Sequence, residues 1–109
     1  MANKGEGAMI TAMLDEARIV KNYLGKPKKA IKLCDEILEI SPNNKDALLI
    51  KAGGLGELFE YNKSDEILSF VMQKYPDDWE AYWLYASHCF AREEDEKALE
   101  KINKSLELR

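Results

Sequence analysis

The stretch AIKLCDEILEISPNN, residues 30–44, returns twice at a spacing of 34 residues and constrains everything around it. Ala30 is echoed by Ser64 and Ala98, Cys34 by Leu68 and Ile102, Ile37 by Val71 and Ser105, Leu38 by Met72 and Leu106, and Pro42 by Pro76. A fixed period of this length belongs to arrays of short helical units, none of which can bury its apolar face without its neighbours. With 109 residues, such an array forms one domain.

The apolar spacing divides the chain into six helices. Residues 1–7 hold Gly5 and Gly7 among polar side chains and are expected to fray, so the first helix is expected near Ala8. From there Ile10, Met13, Leu14, Ala17, Val20 and Leu24 recur at spacings of three and four until Gly25 stops the helix. Pro27 suits the first turn of a second helix, striped by Ile31, Cys34, Ile37 and Leu38 and ended by Ser41-Pro42. Asn43-Asn44 caps a third, about Lys45 to Phe59, with Ala47, Leu48, Leu55 and Leu58 inward. Asn62 is expected to cap a fourth, carried by Ile67, Leu68, Val71 and Met72, and Asp77-Asp78 a fifth. The fifth helix, WEAYWLYASHCFA, is the most aromatic, with Tyr82, Tyr85 and Cys89 on its inner stripe. Ala98, Leu99, Ile102 and Leu106 carry the sixth. Short connections make consecutive helices antiparallel neighbours.

Composition narrows the function. Residues 1–44 carry 7 basic and 6 acidic side chains, residues 45–109 carry 9 and 14, so the C-terminal two thirds is acidic. That surface repels a phosphate backbone and argues against nucleic acid as partner. Lys26, Lys28, Lys29 and Lys32 form the one basic cluster, read as a solvated helix start. Cys34 and Cys89 sit at apolar-periodic positions and read as core, and His88 has no ligand set around it, so no metal or other cofactor is expected. No apolar run suits a membrane span or a signal peptide, which implies a cytoplasmic setting. Ser87-His88-Cys89 lie on adjacent helical positions that point apart, so the sequence aligns no nucleophile with a base and suggests no enzyme.

The period and its motifs resemble the tetratricopeptide repeat (TPR) family over about residues 11–109, as repeats 11–44, 45–78 and 79–109 within a single domain spanning 8–109. The resemblance rests on Ala30-Ile31, Ile37-Leu38-Glu39-Ile40 and Pro42-Asn43-Asn44, then Pro76, then Ala98-Leu99 with Ser105-Leu106-Glu107-Leu108. The small residues Ala52 and Ala86 support it. Ser64 in place of alanine and Lys51 in place of an apolar residue depart from the pattern. The resemblance implies an all-α fold, a right-handed superhelical array of three antiparallel helix hairpins, whose first helices line a concave groove for a peptide or a partner's helix.

Positions matching the family's carboxylate clamp are Asp15, Ile19, Ile50, Glu80 and Leu84, none of them basic, so an acidic C-terminal tail is not the expected ligand. The matching groove positions are Ile19, Tyr23, Leu49, Ile50, Gly53, Gly56, Glu80, Trp83, Leu84, Ser87 and Phe90, an apolar trough with acidic borders. Trp83 and Phe90 are surplus to the inner stripe of their helix and mark a binding face. Gly53, Gly54 and Gly56 inside a helix weaken it by roughly 1 kcal/mol each relative to alanine. Either close helix packing or room for a ligand can account for them. The expected role is a protein-interaction module for an apolar, basic peptide or amphipathic helix. The alternatives are a self-assembling structural module and a nucleic-acid adaptor. The sequence stops at Arg109 within the sixth helix, so either the chain continues elsewhere or another copy covers that face, giving a homo-oligomer.

Overall fold

The computed structural model describes residues 4–109, all of them helix or short connection. The order is α1 (Lys4–Asn22), α2 (Pro27–Ile40), α3 (Lys45–Glu57), α4 (Tyr61–Lys74), α5 (Trp79–Ala91) and α6 (Asp95–Leu108). The 34-residue period reappears in the backbone: α2, α4 and α6 begin at Pro27, Tyr61 and Asp95, and α3 and α5 at Lys45 and Trp79. Each helix packs on the next, α3 touches both α1 and α5, and among the described residues α2, α4 and α6 stay apart from one another.

The caps repeat with the same period. The Asn44 side chain accepts the Ala47 N–H at 3.0 Å and the Asp78 side chain accepts the Ala81 N–H at 3.0 Å, each satisfying a donor that the first helical turn leaves open. In the turns that follow α1, α3 and α5, Gly25, Phe59 and Glu93 take positive φ of 62°, 63° and 62°. This left-handed residue turns the chain from one helix into the next. Glycine fits it at no steric expense, whereas Phe59 and Glu93 hold it against the clash of their own Cβ.

Two apolar clusters meet at α3. Ile10, Leu14, Ala17, Cys34, Ile37, Ala47 and Ile50 join α1, α2 and one side of α3. Leu48, Leu49, Ala52, Leu68, Val71, Ala81, Tyr85, Cys89 and Ala98 join its other side to α4, α5 and α6. Leu38 packs against both. Flanked on both sides, α3 is buried from Ala47 to Gly56, apart from the half-buried Lys51, as expected of a helix apolar around most of its circumference.

Several local expectations are corrected. Of the residues expected to fray, 1–3 lie outside the described residues and Lys4 to Gly7 belong to α1, which ends at Asn22, so Leu24 lies beyond the helix and is exposed. α4 starts at Tyr61 with Glu60 as its N-cap, which puts Asn62 inside the first turn rather than at the cap position. In α6, Ala98 and Ser105 are buried while Leu99 and Leu106 are exposed. Tyr82 is half-buried, not part of the core stripe. The two buried serines standing at apolar positions of the repeat are satisfied across helices: Ser64 Oγ donates to the Ala52 carbonyl at 2.9 Å and Ser105 Oγ to the Trp79 carbonyl at 3.0 Å.

Candidate functional site

The expected groove residues separate into two sets. Ile19 and Tyr23 on or just after α1, and Glu80, Trp83, Ser87 and Phe90 on α5, are exposed, with Leu84 half-buried. Trp83 is 45% and Phe90 71% accessible, and the Ser87 hydroxyl between them donates to the Trp83 carbonyl at 3.0 Å. Residues 83, 87 and 90 follow the three- and four-residue steps of one helical face. Leu49, Ile50, Gly53 and Gly56 are buried and line no open trough, because neighbouring helices cover α3 on both sides.

Gly54 and Gly56 of α3 serve close packing, while Gly53 faces the end of the Lys21 side chain. A Cβ on Gly56 would run into the His88 ring, lying 2.9 Å from both Cδ2 and Cε1. A Cβ on Gly54 would lie 3.1 Å from Ile31 Cγ1, and one on Gly53 3.3 Å from the Lys21 ammonium. The glycines therefore do not deepen a ligand trough: α5, α2 and α1 already fill the space.

The charges beside this face are partly neutralised within the chain. Arg18 lies 3.4 Å from Asp15 and 3.8 Å from Asp46, and Lys21 lies 3.5 Å from Glu57. Sequence reasoning misses these two cations of α1 as part of the face; their signal is a spacing of three residues on the side of α1 that meets α3. The carboxyl of Glu80 is raised above the usual range, first by partial burial and then by the Asp78 and Asp46 carboxylates nearby.

A polar joint ties α3, α4 and α5 together behind the glycines. Ser64 gives its proton to the Ala52 carbonyl, so His88 Nδ1, 3.0 Å from Ser64 Oγ, carries the proton of that bond and Nε2 is the bare nitrogen toward Gly56. Burial, reinforced by Arg92 and opposed by Asp65, lowers the His88 pKa and keeps the ring neutral. The Tyr61 ring lies against it, tilted by 53° with the centroids 5.4 Å apart. Arg92 pairs with Asp65 at 2.7 Å and lies over the Tyr61 ring at 5.5 Å.

Burial, with the Asp35 carboxylate beside it, pushes the Cys34 thiol up to about 11, and burial also raises that of Cys89, so both are protonated at neutral pH. Among the described residues no group of three or more His, Cys, Asp or Glu side chains is placed to hold a metal ion, and no helix is long and apolar enough to cross a membrane. A cleft of about 600 Å³ separates α2 from α4, floored by Leu55 and Leu58 of the α3 end and rimmed by Asp35, Lys51, Glu60 and Lys63. Four of its charges pair with one another, Lys51 with Asp35 at 2.7 Å and Lys63 with Glu60 at 3.1 Å. In comparisons with known proteins, no family model matches the chain and no curated protein matches its sequence.

Proposed function

We propose that the chain is a TPR-like array of three helix hairpins that binds an apolar, basic peptide or amphipathic helix across the face of α1 and α5, without a carboxylate clamp. The observation that carries this reading is the exposure of Trp83 and Phe90 on one face of a helix whose opposite face is packed into the core. Exposed aromatics in line are the usual anchors of an interface. Glu80 beside them favours a basic flank on the ligand, and Arg18 and Lys21 disfavour a second one. Two free, buried thiols suit a reducing compartment such as the cytoplasm.

The test is titration of the intact chain with a panel of basic amphipathic helical peptides, followed by calorimetry. Trp83→Ala is expected to abolish binding and leave thermal stability near that of the parent. Loss of stability equal to that of Leu68→Ala would identify Trp83 as core and remove the chief support.

A second reading, self-assembly without a free ligand, is favoured by α6. Ile31 of α2 packs on α3, and Met72 of α4 packs on the second cluster. Two periods on from Ile31 stands Leu99, and one period on from Met72 stands Leu106, both exposed on α6. Light scattering of a Leu99→Ser, Leu106→Ser variant separates this reading from the first.

A further inference from the structure

The three turns that join α1 to α2, α3 to α4 and α5 to α6 lie side by side along one edge. Lys21 with Glu57, and the Pro27 carbonyl 3.5 Å from a Gly54 Cβ, bring the first turn to the second. Arg92 with Asp65 and Tyr61 brings the third turn to the second. This edge carries the most exposed aromatics among the described residues: Tyr23 at 83%, Phe59 at 78% and Phe90 at 71%. Phe59 stands at a positive-φ position that Gly25 fills in the first turn, so an exposed ring and a strained backbone coincide at the centre of the edge. Its ring meets Tyr61 edge-on at 6.3 Å, and most of its surface stays open to solvent. The turn itself accounts for that backbone, closed by the Glu60 N–H on the Leu55 carbonyl at 2.9 Å, but it does not account for the ring, which is left exposed at the centre of the edge.

Charge runs along the same edge with a direction. At the first turn Lys26, Lys28 and Lys29 are exposed and free of ion pairs, and at the third turn Glu93, Asp95 and Glu96 are exposed and equally unpaired. The order basic, aromatic, acidic is complementary to itself when reversed. We infer that two copies of this chain pair through the turn edge in antiparallel fashion, with Phe59 at the two-fold axis and each lysine cluster facing the acidic cluster of the other copy. The edge meets the proposed peptide-binding face only at Tyr23 and Phe90 and does not include Trp83, Leu99 or Leu106, so the inference goes beyond the proposed function and stands without it.

Sedimentation of the intact chain over a range of concentrations tests it. A monomer–dimer equilibrium that weakens as salt rises is expected. Phe59→Ser is expected to weaken the dimer about tenfold or more, as loss of a central aromatic anchor does. The charge reversals Lys26→Glu, Lys28→Glu, Lys29→Glu in one variant and Glu93→Lys, Asp95→Lys, Glu96→Lys in another should each leave a monomer with parental helicity. Combining the two sets in one chain should restore the dimer, as expected if each basic cluster faces the acidic cluster of the other copy. Strict monomer behaviour at several hundred micromolar overturns the inference, as does a combined variant that stays folded but monomeric. A dimer lost through Leu99→Ser and Leu106→Ser, or through Trp83→Ala, while Phe59→Ser retains it, overturns it as well.

Discussion

The His88 imidazole occupies the volume that a side chain on Gly56 would need, so two residues 32 apart in sequence are fitted to each other across the α3–α5 contact. Gly56→Ala forces the ring away from Ser64 and is expected to lower stability by about 1–3 kcal/mol, the usual range for overpacking. Gly53→Ala meets only the flexible end of Lys21 and should be neutral or stabilising by up to about 1 kcal/mol through helix propensity. Urea denaturation of the two variants side by side checks the contrast, and equal losses would show that the glycines serve backbone freedom instead.

The neutral His88 ring sets a pH dependence whose sign follows from linkage. In the unfolded chain the ring titrates near 6.5, and in the fold its pKa is lower. Below 6.5 the unfolded chain therefore takes up the proton first, so this contribution is fully present above that pH and is lost as pH falls toward the folded value. Denaturation midpoints measured at about pH 7.5 and about pH 5.5 should fall on acidification by less in His88→Gln than in the parent. Glu80 acts in the opposite sense, because its raised pKa makes the ionised form the less favourable one in the fold.

Turn geometry gives a third prediction. Gly25→Ala meets no atom within 4 Å, so its effect is conformational alone, a loss of about 1–2 kcal/mol for a left-handed non-glycine residue. Phe59→Gly relieves the same strain and is expected to raise the melting temperature of the monomer, at concentrations where any association is negligible. Opposite shifts in the two variants confirm that one backbone state governs both turns.

The Arg92–Asp65 pair is mostly shielded from water and lies at the junction of α4 and α5. Arg92→Ala leaves the Asp65 carboxylate without its cation and is expected to destabilise by about 1–3 kcal/mol. A double-mutant cycle with Asp65→Asn measures the coupling directly, and additivity within a few tenths of a kcal/mol would mean that the pair contributes through packing alone.

Much of the helical framework is legible because local rules and the 34-residue period agree. Asn44 and Asp78 read as caps and act as caps, and Cys34, Ala47 and Ala98 read as inward positions and are buried. The groove is less legible. Leu49 and Ile50 lie on the side of α3 that a single-helix reading turns outward, but a helix clasped from two sides has no outward side there. The purpose of Gly56 depends on His88, and that of Ser64 on the Ala52 carbonyl, pairings between helices that no spacing within one helix reveals. Phe59 reads as the end of α3 because its apolar character masks a turn whose signal is the glycine 34 residues earlier.

Among the described residues, no helix touches another more than two places away along the chain. The search for native contacts therefore stays local in time as well as in space, since α1, α2 and α3 can assemble their cluster before the later helices have left the ribosome. Chains with such near-neighbour wiring fold on the order of microseconds to milliseconds, without the slow closure of distant segments. Folding can start at either cluster and spread through α3, which belongs to both.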